Sequence, residues 1–264
     1  MALETFVVKI ADADWSAIGD KIEKDAAIRD GCAFCYDFAD PNSFPLQANA
    51  VGPQPIYDLV DGGEDAVTGS GTLAFTAGKG LGFSVAGSEW IEFSDASKFI
   101  GNDTGFMVVF WIKGGTQTQA LRSNVIGYYD HTNDDGPFGV TYQNPTLSFR
   151  VNGQLVRSET WTPDGLVHQY AVAWFNDPDF GWRVRVYKDA AMVADLAATN
   201  STLAPPTVAP TRGAGFGDTG GNGDNSFAIF TAYRALGYDL DGWTAGDILD
   251  LLELDLAENA ARFS

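Results

Sequence analysis

The pattern of apolar and polar positions predicts a series of short β-strands in the middle of the chain. Between about residues 72 and 233, short apolar segments alternate with turn residues. Phe106–Ile112 is apolar on both faces, as expected for a central strand packed between two layers. Trp182–Lys188 alternates apolar and polar positions, and Asn152 with Gly153 is a typical hairpin turn. Strands at this spacing predict an antiparallel sandwich or barrel.

Near the N-terminus the spacing of apolar residues changes to that of a helix. Trp15, Ile18 and Ile22 recur at helical spacing within Asp14–Asp30, so residues 1–31 are predicted to form a helical arm. One amphipathic helix does not fold alone, so its apolar stripe needs a partner. That partner is the chain's own domain, a sister subunit or a larger assembly. We expect a homo-oligomer, with a trimer favoured, assembled through this stripe.

The remainder of the chain divides into two predicted parts. Residues 32–71 are rich in Pro and Gly and read as an extended, loop-rich lead-in. Residues 72–264 are predicted to form the sandwich and one C-terminal helix, which begins at the capping box of Thr244 and Asp247. Trp243 and Ile248 fit a hydrophobic staple around this box, and the apolar face of the helix is predicted to be Ile248, Leu251, Leu252 and Leu256. Removal of residues 1–30 is expected to abolish assembly through the arm and to leave the sandwich soluble.

Several segments, in the same order, resemble strands of the laminin G-like, concanavalin A-like lectin–glucanase superfamily. They are Gly87–Ser94, Phe106–Lys113, Leu166–Trp174 with Trp182–Ala190, and Gly215–Gly217 with 227–236. Ala190 replaces the glycine that usually follows this strand, and Ala228–Phe230 lacks the acidic pair of the family. The resemblance spans about residues 72–255 and implies an all-β, antiparallel jelly-roll sandwich. Domains of this kind recur in the virion proteins of tailed bacteriophages.

Composition excludes several classes of partner. The chain has 264 residues, with 16 Lys and Arg against 35 Asp and Glu, for a formal net charge of −19. This charge repels nucleic-acid backbones and anionic lipid surfaces. No apolar run approaches the roughly 20 residues of a membrane helix. An acid near the start, with no long apolar region after it, argues against a secretion signal.

The residues that most often carry chemistry do not form a complete set. Cys32 and Cys35 form a CxxC pair with no second ligand pair, so we interpret them as reduced, buried thiols. His131 and His168 are far apart in sequence and are interpreted as structural or solvent-facing. No enzyme is therefore predicted.

One motif matches a catalytic signature in its letters. Related glucanases use E-x-D-x-x-E on a strand, and Glu253-Leu-Asp255-Leu-Ala-Glu258 has this spacing. Catalysis needs the acids on one face, about 5 Å apart for a retaining enzyme. Here they lie within the predicted C-terminal helix, where positions i, i+2 and i+5 point to different sides. We interpret them as a solvated helix face.

Two kinds of candidate site remain. Calcium is the one cofactor considered, because oxygen-rich loops provide Asp134, Asp177, Asp179, Asp218 and Asp224, although aspartate is also a common turn residue. Glycan binding would use exposed aromatic rings, and the candidates are Tyr128, Tyr129, Phe138 and Trp161, although such rings more often pack in the core or at its rim.

These observations favour a non-enzymatic structural or attachment protein of a tailed-bacteriophage particle, such as a head decoration, tail fibre or other appendage. The arm would bind other virion proteins, and the sandwich would face a host-surface glycan in a virion assembled in the host cytoplasm. The alternative is a soluble, calcium-dependent carbohydrate-binding lectin module. A glycoside hydrolase is the least favoured class.

Overall fold

Two antiparallel sheets pack face to face in this protein, and one helix covers the outer side of the first sheet. The computed structural model describes residues 25–76, 79–84, 89–94, 104–116, 122–130, 134–161, 163–198, 203, 214–217 and 228–264. The predicted all-β sandwich with a C-terminal helix is confirmed. In the described part of the chain, no helix is both long and apolar enough to span a membrane.

The first sheet contains nine described strands, numbered in chain order. From one edge to the other they are β15 (Ala191–Ala197), β14 (Gly181–Lys188), β13 (His168–Asp177), β8 (Phe106–Gly114), β17 (Phe230–Asp239), β6 (Gly80–Phe83), β5 (Thr72–Thr76) and β2 (Ala50–Val51). The ninth strand, β1 (Cys32–Asp37), pairs with the second half of β17.

The second sheet contains eight described strands. Their order is β12 (Gln154–Thr160), β11 (Thr146–Val151), β10 (Asp135–Gln143), β9 (Ser123–Asp130), β16 (Gly215–Gly217), β7 (Trp90–Glu92), β4 (Ala66–Thr68) and β3 (Pro55–Ile56). The hairpin predicted at Asn152 and Gly153 joins β11 to β12, and both residues have positive φ, at 48° and 72°. Such angles suit Asn and Gly, which explains the turn.

Strand β8 contacts an apolar layer on each side, as its uniform pattern predicts. Phe106, Val108 and Phe110 point into the core between the sheets. Met107 and Val109 point outward into a second apolar cluster, which includes the buried face of the helix. Burial of both faces explains why β8 carries no alternation.

Helix α1 (Ala245–Phe263) forms the second layer on the first sheet. Its predicted capping box is present, since the Thr244 side chain accepts from the Asp247 N–H and the Asp247 carboxylate accepts from the Thr244 N–H. Ile248, Leu251 and Leu252 are fully buried. The apolar face and the helix start predicted from sequence are therefore confirmed.

The N-terminal part of the chain departs from the prediction. Residues 25–30 form turns rather than the end of a helix, because the Asp25 carboxylate accepts from the Ala27 N–H at 2.9 Å. The stripe of Trp15, Ile18 and Ile22 lies outside the described residues. The predicted lead-in, residues 32–71, supplies β1 and β2 to the first sheet and β3 and β4 to the second. It is therefore part of the sandwich.

A buried ionic network joins residues 25–30, the first sheet and α1. The Arg234 side chain is 0% exposed, and its Nη1 donates to Asp37 Oδ2 at 3.0 Å and also to Asp25. Its Nε lies 3.4 Å from Asp255 Oδ1. Arg262 of α1 reaches the same Asp37 carboxylate. One guanidinium thus connects three elements of the fold.

Asp255 corrects the interpretation of the acidic motif as a solvated face. Its side chain is 1% exposed, and Oδ2 accepts from Trp111 Nε1 and Gln169 Nε2, each at 2.7 Å. Glu253 and Glu258 of the same motif are exposed. The three acids therefore share no cleft, and the middle one joins the helix to the sheet.

Asp58 provides a pH-dependent test of this architecture. Its Oδ1 accepts from the N–H groups of Cys35 at 2.8 Å and Val60 at 2.9 Å, while Oδ2 is buried without a hydrogen-bond partner. Burial raises the pKa of Asp58 from 3.8 to about 6. The unfolded chain thus releases this proton at lower pH than the folded chain, so the group lowers stability as pH rises from about 4 to 6.

Asp58→Asn should remove this penalty while keeping the Oδ1 acceptor. We expect little change in the free energy of unfolding at pH 4 and a gain of about 1–2 kcal/mol at pH 7, allowing for partial solvent screening. Urea unfolding between pH 4 and 8 measures this change in the free energy of unfolding. Asp61→Asn, at an exposed position nearby in the sequence, is the control. A gain that is equal at every pH would contradict the assignment.

Candidate functional site

An open groove lies where residues 25–30 meet the start of α1. It has a volume of about 460 Å³ and is lined by Arg29, Asp30, Gly242, Trp243 and Asp247. We call it the Trp243 groove. It combines an aromatic ring, one guanidinium and two carboxylates.

The turn between β17 and α1 sets the position of Trp243. Gly242 has a φ of +74°, a conformation that side chains other than glycine rarely adopt, and the Trp243 N–H donates to Leu240 O at 3.0 Å. Trp243 precedes the N-cap and belongs to the same apolar cluster as Ile248, as a hydrophobic staple does. Its ring centroid is 5.7 Å from that of Tyr238. The indole is thus held half-buried at the floor of the groove.

Arg29 forms the opposite wall. Its guanidinium carbon lies 5.0 Å from the centre of the Trp243 ring, and Nη2 donates to the Asp247 carbonyl at 2.8 Å. The segment before it is anchored because Ala27 is buried and its carbonyl accepts from the Tyr238 hydroxyl at 2.7 Å. The groove therefore depends on both Arg29 and Trp243.

The charges of the groove are uneven. The hydroxyl and N–H of Thr244 donate to the Asp247 carboxylate and hold its pKa below 3.8. Asp30 is exposed, with no hydrogen bond or ion pair to the described residues. The lining of the groove therefore contains two carboxylates and one guanidinium, which is already bonded. Such a set can accept bonds from hydroxyl groups and pack against an apolar ring face.

The aromatic residues predicted to bind glycan do not provide open rings. Tyr129, Phe138 and Trp161 are buried, and Tyr128 is half-buried against the core. Tyr129 covers the space that a side chain on Gly139 would occupy. Since a sugar needs an accessible ring face, the three buried rings are poorly placed to bind one.

The structure brings together two residues that were predicted for different sites. Tyr129 donates its hydroxyl to Asp134 Oδ1 at 2.7 Å, and Arg122 pairs with the same oxygen. The Asp134 carboxylate, predicted to bind calcium, is therefore bonded to Tyr129 and Arg122. Burial, followed by this bond, raises the pKa of Tyr129.

The second predicted calcium loop is also held internally. Asp177 accepts from the Asp179 N–H at 3.0 Å and from Arg185 Nη2 at 3.1 Å, while Asp218 and Asp224 lie outside the described residues. Among the residues that the structure describes, no group of three or more His, Cys, Asp or Glu could hold a metal. Calcium remains a prediction.

His168 and the cysteines occupy structural positions. His168 Nδ1 lies 2.7 Å from Asp189 Oδ2, and Nε2 lies 2.8 Å from Asp164 Oδ2. Cys32 and Cys35 are free thiols, and burial raises the pKa of both, to about 12 for Cys32. These thiols are protonated and unreactive at neutral pH. His131 lies outside the described residues.

Comparison with known proteins gives structural neighbours. The sequence matches no family model and no curated protein. Trypanosoma rangeli sialidase in complex with 2,3-difluorosialic acid is 13% identical over 88% of this chain and 34% of that chain, with a TM-score of 0.58. The botulinum neurotoxin serotype D/C binding domain is 11% identical over 85% of this chain and 52% of that chain, with a TM-score of 0.55.

This chain therefore spans about a third of the sialidase and about half of the toxin domain. At such low identity the similarity establishes the fold alone. The fold that they share with this chain agrees with its all-β, antiparallel sandwich.

Proposed function

We propose that this chain is a non-enzymatic attachment module of a tailed-bacteriophage particle and that its sandwich binds a host-surface glycan in the Trp243 groove. The observation that carries the glycan assignment is the groove itself, in which a half-buried indole lies beside a free carboxylate. The virion setting rests on the laminin G-like segments of the sequence.

The neighbours give support of a general kind. One is a binding domain of a neurotoxin, and another is a sialidase solved in complex with sialic acid. A sandwich of this type provides a rigid body on which loops and helix ends carry the contact residues. The Trp243 groove is formed by such a helix end and the turn before it.

A glycan array with the purified chain tests the proposal. Trp243→Leu is expected to weaken binding by about tenfold or more, because leucine keeps part of the packing but removes the aromatic ring. Trp182→Leu is the matched control, since Trp182 is also half-buried and stacks on Trp174 with ring centroids 4.0 Å apart. A thermal melt verifies that both variants fold.

Two outcomes would contradict the proposal. If the parent chain binds no glycan at high density, the attachment role at this groove is wrong. If Trp182→Leu weakens binding as much as Trp243→Leu does, the glycan lies elsewhere. The same array is repeated with a chelator. Binding by a calcium-dependent lectin would disappear, whereas binding in the Trp243 groove would remain because its protein groups need no metal.

A further inference from the structure

We propose that the Trp243 groove selects an uncharged pyranose and excludes sialic acid, an inference that rests on the proposed glycan-binding function. Its basis is the excess of negative charge that lines the groove. Asp30 and Asp247 contribute two carboxylates, and Arg29 contributes the one guanidinium among the lining residues.

Arg29 is poorly placed to bind an anion. Its Nη2 donates to the Asp247 carbonyl, and its guanidinium carbon lies 5.0 Å from the centre of the Trp243 ring. A carboxylate-bearing sugar would need to displace these contacts or sit beside two like charges. The net charge of −19 adds to this repulsion at low ionic strength.

An uncharged pyranose matches the same groups. The free Asp30 carboxylate has two acceptor oxygens, which suit two adjacent ring hydroxyls. The apolar face of the sugar can pack against the side of the Arg29–Trp243 pair that lines the groove. Asp247 contributes less, because its carboxylate already accepts from Thr244. Asp30 is therefore the residue that determines specificity.

The test uses an array that presents each glycan with and without a terminal sialic acid on the same core. We expect the parent chain to bind the asialo form at least tenfold more tightly. Asp30→Asn should weaken binding of the asialo form by about fivefold. The difference in affinity between the asialo and sialylated forms should therefore become smaller. Asp61→Asn, which removes an exposed charge outside the groove, should change neither.

The outcomes separate this inference from the function on which it rests. Equal or tighter binding of the sialylated form would overturn the selectivity and leave glycan attachment standing. No binding to any glycan would overturn both. Repeating the measurement at high salt adds a further check, because screening should strengthen binding of the sialylated form only.

Discussion

Replacing Arg234 with methionine is expected to lower the free energy of unfolding by about 3–5 kcal/mol, the usual cost of removing one partner from a buried ion pair. Asp37 and Asp255 are each 1% exposed in the ion pairs with Arg234. Methionine fills much of the volume but supplies no charge. Arg262 still reaches Asp37, whereas Asp255 keeps only neutral donors, from Trp111 and other side chains.

Arg183→Met is the matched control for this prediction. Arg183 also lies in the first sheet and pairs with Asp195 at 2.8 Å, but its side chain is 20% exposed and Asp195 is 27% exposed. We expect a loss of about 1 kcal/mol or less. Urea unfolding at pH 7 compares the two variants. Equal losses would mean that burial of Arg234 has no energetic consequence beyond that of an ordinary surface pair.

Removal of residues 1–30 is expected to destabilise the sandwich by about 3–5 kcal/mol, whereas the sequence alone predicts only that the truncated sandwich stays soluble. The truncation removes Ala27 and Ile28, which are 0% and 8% exposed, and the Asp25 partner of Arg234. It also leaves the Tyr238 hydroxyl without its acceptor, the Ala27 carbonyl.

Removal of residues 1–24 is the informative comparison. It keeps every contact described here, so its unfolding midpoint should stay close to that of the full chain. If the arm assembles the protein, sedimentation should show the full chain as an oligomer and this shorter form as a monomer. If the 1–30 and 1–24 truncations have the same unfolding midpoint, residues 25–30 contribute nothing to stability.

Local patterns predicted most of the framework. The two-sided burial of β8, the hairpin at Asn152 and Gly153, and the capped helix α1 each depend on residues close together in sequence. Periodicity and turn chemistry report such elements directly. The short strands of residues 32–71 were not predicted because the segment is rich in Pro and Gly and each strand has only two to six residues.

The candidate site depended on contacts that no local pattern contains. Arg29 and Trp243 lie more than 200 residues apart in sequence, yet the guanidinium carbon is 5.0 Å from the centre of the indole ring. Trp243 was recognised only as a staple residue, and the exposed position of Asp30 has no sequence signal. Tyr129, by contrast, looked accessible because it neighbours a polar loop, but the small Gly139 on the adjacent strand lets its ring lie flat and buried.

The pairing of β1 with β17 has a consequence for the synthesis of the chain. Asp37 lies opposite Arg234 in this pairing, 197 residues later. At translation rates of about 5–20 residues per second, β1 emerges about 10–40 s before its partner strand. During that interval its aromatic side chains have no sheet to join. A ribosome-associated chaperone therefore has longer to bind β1 than a strand whose partner follows it directly in the sequence.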